Sequence, residues 1–339
     1  MGSGIEHVKA GQVEQFPVAA RNCFSGSFQR LALLPDRQVE EAAIMEAGDG
    51  YLLQAGLDER SCPELVFGVE SVVLSGLASL GYETRDVAIK PDEWREQLHG
   101  LLSEHAGAVV WVNSAHLDYA DVYSSHPGFM HAVLILEQSE DLRQLKVFDS
   151  LVDERSRYSC VAWTTDTAFE GAILDRIYSK SLDHMGRFHT LVAAPAPAAD
   201  SRNIAVSGLL RQSEAFRTNS CYFNAVHEYR LLCRDAMAST EDIAKHAARR
   251  LFDHVNVLYV LPGLKLLDQS LRRAEAPEHI SDLCQALMDD WRVLGLQSLK
   301  FEATSSRSIA DRIDERFERL STATAQLWET LAMELGNEK

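Results

Sequence analysis

The chain has 339 residues, 46% hydrophobic and 8% aromatic, enough for one large domain or two modest ones around a sizeable core. Its 33 Lys and Arg against 50 Asp and Glu leave a formal net charge of −17, which argues against a nucleic-acid binder, since such a protein normally shows a basic face. No apolar run approaches the roughly 18 residues of a membrane span, and the six cysteines show neither CxxC pairs nor zinc-ligand spacing, so the expectation is a soluble, cytoplasmic protein with free thiols.

MGSG at the start reads as an expression scar and is set aside. The first element is in AARNCFSGSFQRLALL (19–34), where a polar, glycine-containing approach delivers Cys23 into an apolar run at helical spacing, Phe24, Phe28, Leu31 and Leu34. Pro35 forbids a further turn. Next, Ser61-Cys62-Pro63-Glu64 has capping-box chemistry and an early proline, predicting a helix that runs through ELVFGVESVVLSGLASLGY to about Gly81. Strand signals follow in AVVWVNS (108–114), HAVLILE (131–137) and QLKVFDS (144–150), short segments rich in β-branched residues and bounded by polar turns such as QSEDLR.

The alanine- and proline-rich spacer APAPAADSRN, near residues 193 to 202, separates this mixed region from a helical one and places the expected domains at 5–192 and 203–336. Four helices are expected after it, roughly 207–236, 240–261, 277–296 and 307–335. The second opens on the acids Glu241 and Asp242 and is expected to stop at Pro262-Gly263. The class is therefore α+β, with a helical C-terminal region. The small basic clusters Arg249-Arg250 and Arg272-Arg273 are candidate docking patches for an acidic partner, against the plainer reading of a solvated helix face.

A cysteine nucleophile works as its thiolate, which the first turn of a helix favours through unpaired N–H groups and the helix dipole; Cys23 occupies such a turn. It needs a base and a group to orient that base. His131 opens one strand and Asp149 closes the next, so a hairpin turning around Glu140 brings them to one end, with His131 facing a position close to 149. Asn22 is a candidate oxyanion donor through its side-chain amide, beside the N–H of Cys23, and equally a candidate helix cap. His126 competes with His131 for the role of base, although Pro127 after it favours extended chain. The five-residue spacings of His126 with His131 and of His184 with His189 are not those of a helical zinc site, and no metal is expected. The other five cysteines are expected in the core, Cys221 included, which shares its predicted helix with His227.

RNCFSGSFQRLALL, the segment CPELVFGVES, and then HPGFMHAVLILE and LKVFDS together resemble the N-terminal domain of the butirosin-biosynthesis acyltransferase family, a papain-like fold joined to a helical C-terminal half. The resemblance lies mostly in residues 20–150; past residue 200 only the helical character agrees. VVWVNSAHLDYADVY resembles the family's strand and Asp-Tyr segment before the catalytic histidine. The family's order of Cys, His and Asp falls on Cys23, His131 and Asp149. Glu64, in the segment that resembles the family's second helix, Asp118, available to bind a polar acceptor, and His126 are the candidate substrate-binding residues. Two departures stand out: VESVVLSGLA has fewer glycines than the family often shows, and Ser150 rather than a proline follows the Asp.

The resemblance implies acyl transfer: Cys23 takes an acyl group from the phosphopantetheine thioester of an acyl or peptidyl carrier protein and passes it to a small-molecule acceptor in natural-product biosynthesis, with no intrinsic cofactor. Release by internal carbon attack, as in a Dieckmann-type cyclase, is an alternative outcome. A cysteine peptidase or amidase and a non-catalytic binding protein on the same fold are the other classes. The helical half is available as an acceptor pocket or a homodimer surface.

Overall fold

The computed structural model describes residues 13–17, 20–33, 39–58, 61–124, 128–152, 158–175, 186–193 and 200–336. Among the described residues the elements run from β1 (Val13–Pro17) through α1 (Cys23–Leu33), α2 (Glu41–Ala47), β2 (Gln54–Leu57) and β3 (Pro63–Val66) to α3 (Val69–Ser79). They continue through β4 (Glu83–Ala88), α4 (Trp94–Glu104), β5 (Ala108–Asn113), α5 (Asp121–Ser124), β6 (Met130–Gln138), β7 (Gln144–Val152), β8 (Tyr158–Thr165), α6 (Asp166–Leu174) and β9 (Arg187–Ala193). Helices complete the series: α7 (Ser201–Thr218), α8 (Ser220–Phe223), α9 (Ala225–Met237), α10 (Glu241–Arg250), a π-helical stretch Leu251–Val260, α11 (Leu261–Arg273), α12 (Glu278–Thr304) and α13 (Arg307–Gly336). The protein is thus α+β, with an antiparallel sheet and a helical C-terminal half.

The described residues fall into two compact units, one containing those up to Glu41 with 81–175 and 186–193, the other containing 42–80 and 200–336. Residues 42–80, expected in the first domain, therefore cluster with the C-terminal helices. The spacer residues 194–199 lie outside the described residues.

In the first unit a seven-stranded sheet has the order β1-β8-β7-β6-β5-β9-β4, every neighbouring pair antiparallel. Every residue of β5 is buried, because both faces of the sheet are covered. On one face Trp111 stacks on Phe24 of α1, ring centroids 5.0 Å apart. On the other, Val110 and Val112 join Trp94 and Leu98 of α4 and Phe169 of α6 in one apolar cluster. An unbroken apolar run such as AVVWV is what a strand covered on both sides requires.

Glycine lets α1 sit close on β7. A Cβ at Gly26 would overlap Ala20 and come within 3.0 Å of the Ser150 hydroxyl oxygen, so a side chain there would push the helix off the strand.

Three expectations are corrected. The helix expected from Ser61 starts only at Val69: Cys62, preceding Pro63, is biased to extended chain, and Pro63 opens β3 opposite Leu57 of β2. Pro262-Gly263 does not stop the helix, since a proline at the second position of α11 needs no N–H partner, and the π-helical stretch carries the chain into it. The single helix 207–236 is three, broken at Asn219, whose side chain accepts from Cys221 N, and at Asn224. Cys221 and His227 are therefore on different helices, and Cys221 is exposed rather than core.

Candidate active site

Cys23 is the first residue of α1 and is partly exposed. The residue before it builds the helix start: Asn22 Oδ1 accepts from the N–H groups of Phe24 (2.9 Å) and Ser25 (3.3 Å). Of the two roles open to Asn22, its side-chain oxygen fills that of the cap. The N–H of Cys23 has no acceptor among the described residues, as expected in the first turn of a helix.

Two buried groups hold this turn. The Glu41 carboxylate accepts from Arg21 N (2.7 Å), Asn22 N (3.1 Å) and Ser25 Oγ (2.7 Å). Burial pushes its pKa up, and these three hydrogen bonds only partly offset that. From the strand side, Ser150 Oγ donates to the Cys23 carbonyl (3.1 Å), which also accepts from Ser27 Oγ (2.7 Å).

The hairpin of β6 and β7 forms, with Leu134 opposite Phe148 and an irregularity between Ile135 and Glu137. Carried back one place, that register sets Asp149 beside Val133, so His131 and Asp149 are diagonal neighbours on one face. His131 Nε2 donates to Asp149 Oδ1 at 2.8 Å, with the His131 side chain 4% exposed and that of Asp149 fully buried. Asp149 Oδ1 also accepts from Leu151 N (3.1 Å), while Oδ2 accepts from the hydroxyls of Tyr119 (2.8 Å) and Tyr123 (2.5 Å). Four donors on one buried carboxylate satisfy it as an anion.

Burial opposes charge on the His131 ring, but the Asp149 carboxylate, the Cys23 side chain and hydrogen bonds with both outweigh it and hold the His131 pKa well above its ordinary value. Burial likewise opposes ionisation of Asp149, and the charge of His131 with the bonds from His131, Tyr123 and Tyr119 holds its pKa below the ordinary one. Burial first, then the Asp149 charge, push both tyrosines well up, so they remain hydroxyl donors at neutral pH. With Nε2 on Asp149, Nδ1 is the ring nitrogen left for Cys23. The arrangement is an imidazole that can carry a proton between a sulfur and an incoming or departing group, beside a helix N–H able to meet an oxyanion.

The sequence assigns roles to Cys23, His131 and Asp149 but none to Glu41, Tyr119, Tyr123 or Ser150, the last noted only as standing where the family has a proline. The tyrosines lie in the quoted segment LDYADVY without having been assigned roles.

The remaining expected residues are placed elsewhere or not described. Asp118 accepts from Thr164 Oγ1 (2.7 Å) and Thr165 Oγ1 (3.1 Å), fastening the turn from β8 into α6. Glu64 belongs to the second unit, where Arg250 lies 3.8 Å from it and 3.2 Å from Asp58. His126 lies outside the described residues. All four arginines of the basic clusters are ion-paired within the chain: Arg249 with Asp253 and Glu302, Arg250 as above, Arg272 with Asp268 and Arg273 with Glu46. Neither cluster offers a wholly unpaired cationic patch.

Cys62, Cys160, Cys233 and Cys284 are buried, and burial pushes the thiols of Cys233 and Cys284 up to about 12. Burial and the Asp149 charge push Cys160 up as well. The raised thiols of Cys160, Cys233 and Cys284 are poor nucleophiles at neutral pH. No helix among the described residues is long and apolar enough to cross a membrane. A scan against protein-family models and a search of curated proteins found no match for this chain.

Proposed function

We propose that the protein is a cysteine-dependent acyltransferase acting on thioesters, with Cys23 as nucleophile, His131 as proton carrier and Asp149 as the group that orients and charges the imidazole. The observation that carries this reading is the buried His131–Asp149 pair, four donors on its carboxylate, interacting with the one partly exposed cysteine at a helix start. The resemblance of residues 20–150 to the butirosin-type acyltransferases and their papain-like fold agrees with it.

The Cys23 thiolate attacks the thioester carbonyl, and the oxyanion is met by the Cys23 N–H. The C–S bond to the donor breaks, and the departing thiolate takes the proton from His131, leaving an acyl-cysteine and a neutral ring. The acceptor's N–H or O–H then gives its proton to His131 as its heteroatom attacks the acyl carbon. The C–S bond to Cys23 breaks, and the thiolate and imidazolium pair is restored. Asp149 stays ionised throughout. A thioester suits this site because donor and enzyme sulfurs have similar leaving ability. The donor matching this chemistry is an acyl group on the phosphopantetheine arm of a carrier protein.

Thiol release from a panel of acyl-pantetheine thioesters tests the reading. Release by the native protein, lost in Cys23→Ala and His131→Ala, is the expected result. Cleavage of peptides without reaction of any thioester would replace it with a peptidase.

A further inference from the structure

Two buried phenols converge on the carboxylate of the site, and the acyl transfer proposed above gives them no part. Tyr119, just before α5, and Tyr123, within it, stand four residues apart, and both hydroxyls donate to the same oxygen of Asp149, Oδ2, at 2.8 and 2.5 Å. Oδ1 serves the other side, accepting from His131 Nε2 at 2.8 Å and from Leu151 N at 3.1 Å. The phenols are fixed from several directions. Asp118, the residue before Tyr119, is held by the Thr164 and Thr165 hydroxyls. The two phenol rings meet edge-on with centroids 5.7 Å apart, and Tyr123 packs on the rings of His131 (5.7 Å) and Phe129 (6.1 Å).

Both rings belong to the apolar cluster that includes Val112, Val133 and Val152, where phenylalanine would fill the same space with no hydroxyl to satisfy. What the hydroxyls add is their action on Asp149. Donors on Oδ2 stabilise the anion and draw its charge away from Oδ1, the oxygen that faces His131. Weaker charge on Oδ1 holds the imidazolium less firmly and leaves its Nδ1–H the stronger acid. The titratable groups around His131 are Asp149 on β7, Cys23 on α1 and Tyr123 on α5. Around Asp149 they are His131, both tyrosines and Cys160 on β8, a thiol that burial and the Asp149 charge keep protonated.

We propose that Tyr119 and Tyr123 are positioning residues of the reaction, acting through Asp149 to loosen its hold on the imidazolium of His131, so that the ring can protonate the departing thiolate. The inference rests on the reading of His131 as the proton carrier of Cys23. As the C–S bond to the donor breaks, its electron pair stays on the departing sulfur and the Nδ1 proton moves there, leaving a neutral ring with Nε2–H still on Asp149. A more basic carboxylate would hold the ring charged and slow this transfer. With no donor on Oδ2, the buried carboxylate would also compete for the Nε2 proton; the two hydroxyls keep Asp149 the anion and His131 the acid.

The pH profile of Cys23 alkylation by iodoacetate, read by peptide mapping, tests this without a thioester. Iodoacetate is an anion, so its reaction with the thiolate falls off as His131 loses its proton, and the alkaline limb reports the imidazolium. In the double variant Tyr119→Phe, Tyr123→Phe that limb is expected to move up by about half a pH unit or more, with a smaller upward move in each single variant. The first turnover of thiol release from an acyl-pantetheine at neutral pH is expected to slow about threefold or more in the double variant. A merely structural role would lower the rates at every pH and leave the limb in place. Circular dichroism checks folding; if the double variant fails to fold, the single variants decide. A native profile with no alkaline limb, a limb unmoved or moved down in the folded variants, or an unslowed first turnover would overturn the proposal. If the native protein releases no thiol from any thioester, the acyltransferase reading falls, and the alkylation profile still decides how the tyrosines act on His131.

Discussion

The Cys23 carbonyl accepts a hydrogen bond from the hydroxyl of Ser150, the residue that follows Asp149 (3.1 Å). The helix carrying the thiol is thereby tied to the strand carrying the carboxylate, at a point where Gly26 allows close approach. Ser150→Ala should cost about 1 kcal/mol of stability, and Gly26→Ala about 1–3 kcal/mol through overlap with Ala20 and Ser150. Urea denaturation measures both. Both should also slow thioester cleavage, since the sulfur is displaced from His131. An unchanged rate in Gly26→Ala would mean that this contact does not set the sulfur's position.

Stability should depend on pH through the buried pair. The folded pKa of His131 is raised above its ordinary 6.5, so its contribution is fully present below that pH and is lost as pH rises through the folded value. The folded pKa of Asp149 is lowered from 3.8, so its contribution is present above that pH and is lost as pH falls through the folded value. The two limbs belong to one coupled pair. In His131→Gln the alkaline loss should shrink, and in the double variant Tyr119→Phe, Tyr123→Phe the acid loss should move to higher pH, because two donors to the carboxylate are gone. Denaturation curves across pH 3 to 10 test the signs; an alkaline limb unaltered in His131→Gln would assign it to another group.

Glu41 holds the backbone on either side of the Arg21–Asn22 peptide without belonging to the triad. Glu41→Ala leaves two N–H groups and the Ser25 hydroxyl without their acceptor, at a cost of about 2–4 kcal/mol. Glu41→Gln retains one acceptor oxygen and should lose about half of that. Urea midpoints order the three proteins; equal stability of native and Glu41→Ala would show that water replaces the carboxylate.

The strands at 108–114, 131–137 and 144–150 were legible because apolar β-branched runs between polar turns have few other uses, and the hairpin register was close enough to put His131 and Asp149 together. Cys23 was legible from the polar-to-apolar switch at a helix start. The segment 61–81 was misread because Leu65, Phe67 and Val69 suit either a strand entering a helix or one continuous helix, and only the pairing of Pro63 with Leu57 decides. Pro262 misled because a proline reads as a stop even where a new helical turn absorbs it. Glu41, Tyr119 and Tyr123 were not identified because their roles depend on contacts 16 to 30 residues away, which spacing along the chain does not reveal.

The most direct measurement is to incubate the protein with an acyl-pantetheine thioester, digest it, and locate the acyl mass by peptide mapping. The account predicts the acyl group on the peptide carrying Cys23, its absence in Cys23→Ala, and no label on exposed Cys221. Label on Cys221 alone, or none on Cys23 with any thioester tried, would contradict it.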